Sequence, residues 1–366
     1  MDPDAVDELA STGLPDDGAH EDAVMTDREA ETDADVQSPG RVPHGSTDDP
    51  WLVDFSANVN PCVPDGVSQA YQSALAASRS YPSDTYEEFR VAAADYVGSD
   101  PRQVVPTPGG LAAIRLAIGA TVEPDDSVLV PHPSFGEYAR EVRLQGATAE
   151  FVAHDEVLAT DPADHAMAIV CTPNNPTGEA ADPDELAAYA DRCAAADTVL
   201  LVDEAFLGFT DLPSLAGREG VVVARSLTKL FGLPGLRAGF AVASGDLRDR
   251  LDAARITWGL GTPAAAVGAH CLRDEAFIRA TRERVASERE RMRERLAAAY
   301  DVYDSDAPFL LFDVGSSERV DDLLGTARED GVALRDARTF RGLDSHVRVA
   351  VRLPDANDLL LDVLEV

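Results

Sequence analysis

Between about residues 100 and 245, short β-rich apolar runs alternate with longer stretches of helical periodicity. The first pattern predicts strands at Ser127–Pro131, Thr148–Val152, Ala166–Cys171, Val199–Val202, Val221–Ala224 and Gly239–Val242. The second predicts helices at Leu111–Thr121, Phe135–Leu144 and Pro183–Ala195. Such alternation is the signature of an α/β fold, a parallel or mostly parallel sheet with helices on both faces. Active groups in such a sheet lie at the carboxyl ends of the strands. Further on, Arg and Glu interleave in a long helix from Ile278 to Leu296. Phe309–Val314, a helix near Asp321–Asp330, a strand His346–Val351 and a helix from Asp355 then predict a small α/β domain. The chain thus divides into an N-terminal segment 51–100, a large domain 101–260, and a long helix with the small domain over 261–366. No internal repeat is visible.

Residues 1–50 break this pattern. They carry fifteen acidic residues against two arginines and few large apolar side chains. A segment of that composition cannot bury enough surface to offset its ordering entropy, so a disordered acidic tail is expected. Met25 offers an alternative start. Trp51-Leu52-Val53-Asp54-Phe55 begins the folded part.

Composition adds a setting. Sixty-six acidic side chains against 31 basic ones give a net charge of −35. Self-repulsion on that scale is screened at molar ionic strength, where the Debye length is about 3 Å. Acid-rich, alanine-rich and lysine-poor, the chain reads as a cytoplasmic protein of a salt-accumulating organism, a haloarchaeon. Its surface is wrong for DNA, RNA or anionic membranes. Four cysteines, Cys62, Cys171, Cys193 and Cys271, lie far apart with no Cys-x-x-Cys pair, and the seven histidines show no i, i+4 pairing. Neither a metal site nor a disulfide framework is suggested. No apolar stretch is long enough to span a bilayer, and the acidic N-terminus is the opposite of a signal peptide.

One residue changes the functional picture. Lys229 is the single lysine, against thirty arginines, and it follows the apolar run Val221–Ala224 in Arg225-Ser226-Leu227-Thr228-Lys229. Arginine replaces lysine wherever charge and donors suffice, but guanidinium is not a nucleophile and cannot form an imine. A lone lysine at a strand end is therefore a candidate Schiff-base residue.

Four more motifs sit at strand ends or helix starts. Cys171-Thr172-Pro173-Asn174-Asn175-Pro176-Thr177-Gly178 and Asp203-Glu204-Ala205-Phe206 each follow a predicted strand. Pro234-Gly235-Leu236-Arg237 lies just past the lysine, and Gly109-Gly110-Leu111-Ala112 opens the first helix of the large domain. Singly these are ordinary turns, caps and surface charges. In this order and spacing they resemble the fold-type-I pyridoxal-phosphate enzymes, the aspartate-aminotransferase superfamily, over roughly residues 51–366.

That resemblance implies a cofactor, pyridoxal 5′-phosphate, and a role for each residue. Lys229 would form the imine with the cofactor and then shuttle a proton. Asp203 would face the pyridine nitrogen and keep it protonated. Asn175 would donate to the phenolic oxygen, and Phe135 would stack on the ring. The backbone amides at Gly110, Leu111 and Ala112, with Ser226 and Arg237, would hold the phosphate. Many relatives have a hydroxyl residue in the Gly-Leu-Ala turn; this chain has none. Tyr81, in Ser80-Tyr81-Pro82, matches a tyrosine that reaches the phosphate of a neighbouring subunit, implying a homodimer with shared active sites.

Two branches of the superfamily fit: threonine-phosphate decarboxylase of cobalamin biosynthesis, and histidinol-phosphate aminotransferase. Three features lean to the decarboxylase. The opening Asp54-Phe55-Ser56-Ala57-Asn58-Val59-Asn60-Pro61 is similar to that enzyme's, and position 206 is Phe where the aminotransferases usually have Tyr. The third is Leu334–Leu343 followed by His346–Arg352, which is similar to the decarboxylase C-terminal pattern. Either branch takes a small phosphorylated substrate, so Arg335, Arg341, Arg348 and Arg352 are candidate anion ligands, with Asn58 a further substrate contact. Arg348 matches the carboxylate-binding arginine of the superfamily; whether it holds carboxylate or phosphate stays open. Winged-helix regulators that contain this fold are not matched, because the extra segment is acidic. Retention of the single lysine argues against an inactive scaffold.

Overall fold

The computed structural model describes residues 1–12 and 41–366. Seven strands make the central sheet, in the spatial order Val104–Thr107, Gly239–Val242, Val221–Ser226, Val199–Asp203, Met167–Cys171, Ser127–His132 and Thr148–Ala153. All neighbours are parallel except the two pairs made by Gly239–Val242, which runs against both its neighbours. The mostly parallel α/β sheet expected from the alternation is present.

Both faces of this sheet are covered, which is why its strands are apolar at successive positions. Ala168, Val170, Leu200, Val202 and Val223 join one core, while Met167, Ile169, Leu201, Val222 and Ala224 join another. That is the two-residue alternation of a strand read against two apolar layers. Helices Gly110–Thr121 and Glu137–Arg143 contribute Ile114, Ile118, Tyr138 and Val142 to the second core. Helices Glu87–Val97, Pro183–Ala195 and Thr262–Leu272 contribute Phe89, Leu186, Tyr189 and Val267 to the first.

Helices Val67–Ala77, Glu87–Val97, Gly245–Ala254 and Thr262–Leu272 lie outside the predicted set. So does the edge strand Val104–Thr107, which contains Pro106. Proline weakens a strand reading, and an edge tolerates it because one side needs no ladder donor.

The small domain carries a four-stranded sheet in the order Arg335–Asp336, His346–Ala350, Phe309–Asp313 and Asp301–Val302. Ser317–Glu329 and Pro354–Val363 are its helices. The long helix Glu275–Leu296 is capped by Asp274, whose carboxylate accepts the Phe277 amide at 2.9 Å. It buries Ile278, Val285 and Met292, one per seven residues along a single face. Val53–Asp54 pairs in parallel with Val332–Ala333, and the Asn60 amide donates to the Lys229 carbonyl at 3.0 Å. The opening segment therefore links the small domain to the lysine turn.

The expectation of an unstructured segment over residues 1–50 needs correction at both ends; residues 13–40 lie outside the described residues. Pro3–Thr12 is a helix with Leu9 buried, and the Asp2 amide donates to the Leu144 carbonyl at 3.0 Å. Residues 42–45 wall a cavity at the edge of the large sheet that Lys229 also lines. Mean composition hides such local anchors: one buried leucine and a few backbone contacts are enough to fix a short piece of an otherwise acidic segment. Among the described residues no helix is long and apolar enough to cross a membrane.

Candidate active site

Sheet register brings the separated motifs together. Cys171, Asp203 and Ala224 are neighbours across three adjacent parallel strands, at or near their carboxyl ends. The Asn175 turn, Asp203 and the short helix Leu227–Leu230 with Lys229 consequently meet at one edge, around a cavity of about 420 Å³. Gly110, Leu111, Phe135, Asn175, Asp203 and Phe206 line it. So do Ser226, Lys229, Arg237, Asn58, Arg335 and Arg348.

One end of the cavity is a cradle with room for an anion and for no extra side chain. A Cβ at Gly109 (φ 103°) would sit 2.8 Å from Arg237 Nη2, and one at Gly110 would sit 2.9 Å from Ser226 Cβ. Helix Gly110–Thr121 starts without a side-chain cap, which leaves its first amides available to an anion. Arg237 forms no ion pair among the described residues; its Nη1 donates to the Pro234 carbonyl at 3.2 Å. Ser226 Oγ lies 2.8 Å from Thr228 Oγ1. Helix amides, a hydroxyl and a guanidinium converging on a glycine-lined hollow fit a phosphate monoester.

Lys229 is half-buried, with Nζ 5.9 Å from the Phe206 ring centre. Burial lowers its pKa to about 8; Arg348 and Arg237 push the same way and Asp203 opposes them. A free amine is thereby available near neutral pH. Asp203 is buried, and burial raises its pKa. Two donors oppose that rise: the Tyr138 hydroxyl on Oδ2 at 2.6 Å and the Ala205 amide on Oδ1 at 3.0 Å. An amine and a held carboxylate on one floor, beside a phosphate cradle, match the donor set that pyridoxal phosphate requires. Phe206 is packed edge-on to Phe309 with centroids 5.1 Å apart.

Opposite lies a cationic wall. Arg335 and Arg348 are paired residues on adjacent antiparallel strands, and both are buried. Their guanidiniums lie 5.4 and 5.6 Å from the same Phe340 ring. Arg348 donates to Asn175 Oδ1 and to the Ser56 carbonyl; Arg335 donates to the Pro43 carbonyl and to Thr339 Oγ1. Neither forms an ion pair among the described residues, and the Nε of each is buried without a partner, as is Asn58 Oδ1. Burial lowers both arginine pKa values, most strongly at Arg348, which Arg335 also repels. Two uncompensated buried cations form a standing anion site.

Other expected residues lie elsewhere. Tyr81 is 77% exposed and stacks on Trp258 at 4.3 Å, away from the cavity of its own chain. Ala112 sits in the first helical turn but does not line the cavity. Arg341 covers the Phe151 ring at 4.2 Å. Arg352 donates to the Asp54 carbonyl at 2.7 Å, tying down the opening segment. Conversely, His44, Ser56, Tyr138 and Thr339 line the cavity and are not among the expected residues. His44 donates to Glu137 at 3.1 Å, and only its place in an acidic segment hid it. Tyr138 carried a faint signal, being three residues past Phe135 within the helix expected at Phe135–Leu144, hence near the same face.

The family profile of the class I and II aminotransferases matches residues 52–363. The chain is 30% identical over 322 residues to histidinol-phosphate aminotransferase 1 of Archaeoglobus fulgidus, covering 86% of this chain and 98% of that one. It is 31% identical over 333 residues to threonine-phosphate decarboxylase of Salmonella typhimurium, covering 86% and 90%. The crystal structure of histidinol-phosphate aminotransferase from Clostridium acetobutylicum matches with a TM-score of 0.78 at 23% identity, covering 86% of this chain and 98% of that one. That last likeness shows the fold.

Proposed function

Because the chain belongs to the class I and II aminotransferase family, whose members depend on pyridoxal phosphate, we propose that it decarboxylates L-threonine O-3-phosphate to (R)-1-amino-2-propanol O-2-phosphate, for cobalamin biosynthesis. The observation that carries this reading is the Arg335–Arg348 pair, two buried cations flanking one ring and forming no ion pair among the described residues. The proposed substrate bears carboxylate and phosphate on adjacent carbons, so one compact molecule would satisfy both guanidiniums. Histidinol phosphate carries only its phosphate.

Bound pyridoxal phosphate supplies an aldehyde for an amine and a conjugated ring that accepts an electron pair from Cα. The protein supplies the rest. Gly110, Leu111, Ser226 and Arg237 would hold the phosphate, Asn175 the phenolic oxygen, and Asp203 a proton on the ring nitrogen. Phe135 and Phe206 wall the site. Arg335 and Arg348, with Asn58, would hold the substrate's carboxylate and phosphate and so fix which bond at Cα is presented for cleavage, CO₂ being the group that leaves. Lys229 Nζ, which lines the same cavity, would return a proton to Cα.

A second reading keeps the aminotransferase activity, because a dicarboxylate amino donor would engage the same two arginines, and relatives of both names match at 30% and 31% identity. The two separate in one assay with added pyridoxal phosphate in molar salt. L-threonine O-phosphate should release CO₂ and aminopropanol phosphate without any oxo acid. Glutamate from histidinol phosphate and 2-oxoglutarate, with no CO₂ from the first substrate, would overturn the decarboxylase.

We also propose a cytoplasmic, halophilic homodimer with shared sites. The charge of −35 and the surface-exposed Tyr81–Trp258 stack support this. Sedimentation across a salt titration should show a folded dimer in molar salt that unfolds in dilute buffer. A folded monomer, or full stability in dilute buffer, sinks the proposal.

A further inference from the structure

Tyr138 is fully buried on the inner face of Glu137–Arg143, and its hydroxyl donates to Asp203 Oδ2 at 2.6 Å. The Ala205 amide takes the other oxygen at 3.0 Å, so the carboxylate is held from two sides and cannot rotate freely. The ring is fixed in turn by edge-on contact with Phe135, centroids 5.6 Å apart at 86°. This bond is not needed to bury tyrosine: the phenol could be replaced by phenyl in the same apolar core. What it changes is Asp203. We infer that Tyr138 is a positioning residue whose hydroxyl keeps the Asp203 carboxylate ionised and aimed, so that the proton it shares with the cofactor's pyridine nitrogen stays on nitrogen.

The electrostatics agree in direction. Burial is the largest influence on Asp203 and favours its neutral form; Tyr138 is the largest influence opposing it, ahead of the Ala205 amide. Glu204 adds to the rise, and Lys229 counters it. Without the phenol, burial is left less opposed and the proton moves from nitrogen towards Asp203. A hydrogen bond to a charged group is worth a ten- to hundredfold change in that balance, in round numbers.

The test is nitrogen NMR of the holoenzyme loaded with ¹⁵N-labelled pyridoxal phosphate. In the unaltered protein the ring nitrogen should resonate as protonated; in Tyr138→Phe it should move towards the unprotonated position. An unchanged resonance in the folded, loaded variant overturns the proposal. On an Asp203→Asn background the same substitution should cause no further shift, and an additive shift would show that Tyr138 acts by another route. Should Tyr138→Phe not fold, a ring-fluorinated tyrosine at 138 keeps the phenol and strengthens it as a donor. The nitrogen resonance should then stay at the protonated position, and a move towards the unprotonated position counts against the proposal.

Discussion

Lys229→Ala abolishes the visible absorbance that the cofactor gains on joining the protein, and lowers turnover by at least about 10²–10⁴-fold, the usual worth of a positioned proton carrier. No other side chain carries an amine that can substitute, because Lys229 is the single lysine and guanidinium does not form an imine. The neighbourhood also fixes a pH signature. Burial, Arg348 and Arg237 lower the Lys229 pKa to about 8, so the nucleophilic free amine forms as pH rises through that value. The rate of cofactor capture by the apoprotein should climb up to about pH 8 and level off above it. Stopped-flow mixing with pyridoxal phosphate measures both features. Retained absorbance in the alanine variant, or a capture rate still climbing towards the ordinary lysine range, contradicts the assignment.

Gly239→Ala produces the second large effect, on cofactor affinity. Gly239 is the first residue of the antiparallel strand and presses on the Gly109–Gly110 turn. A Cβ there would lie 2.6 Å from the Arg225 carbonyl oxygen, 2.6 Å from the Gly109 carbonyl carbon and 2.8 Å from the Gly110 amide nitrogen. All three are backbone atoms, with no flexible side chain to give way. Either the strand pairing at Ser226↔Gly239 opens or the turn that starts Gly110–Thr121 is pushed outward. Overpacking of this kind costs about 1–3 kcal/mol of stability. Because the displaced turn carries the amides of the phosphate cradle, the Kd for pyridoxal phosphate should rise about tenfold or more, a loss of about 1.4 kcal/mol. Binding of pyridoxal, which lacks the phosphate, should change far less. Equal losses for both ligands would place the damage outside the cradle, and an unchanged Kd would remove the cradle from this turn.

Arg335 and Arg348 show where sequence reasoning stops. The sequence offers four arginines in the C-terminal region as candidate anion ligands, and only the family resemblance sets Arg348 apart. Strand pairing puts two of them side by side over Phe340. Arg352 lies beyond the end of its strand at Ala350, where the two-residue alternation no longer sets direction, and it turns to the Asp54 carbonyl. Arg341 follows the short helix Ala337–Thr339 and finds the Phe151 ring instead. Local periodicity says which face a strand residue takes; it says nothing about a residue in a turn.

The chain by itself determined the parts whose signal is local. Apolar strands ending in Asn-Asn-Pro-Thr-Gly, Asp-Glu-Ala-Phe and the lone lysine pointed to the α/β class and to Lys229, Asp203, Asn175 and Arg237 as candidates, which the fold brings to one cavity. These hold because strands covered on both faces must be apolar throughout, and because loops at their carboxyl ends converge. Tertiary structure alone decided the rest. The Tyr138–Asp203 bond joins residues 65 apart in sequence, and the wall formed by Val42–Gly45 sits in a segment whose acidity pointed to disorder. Such contacts depend on how a helix or a leader packs onto a finished sheet. No spacing along the chain encodes that distance; it exists only once the layers are assembled.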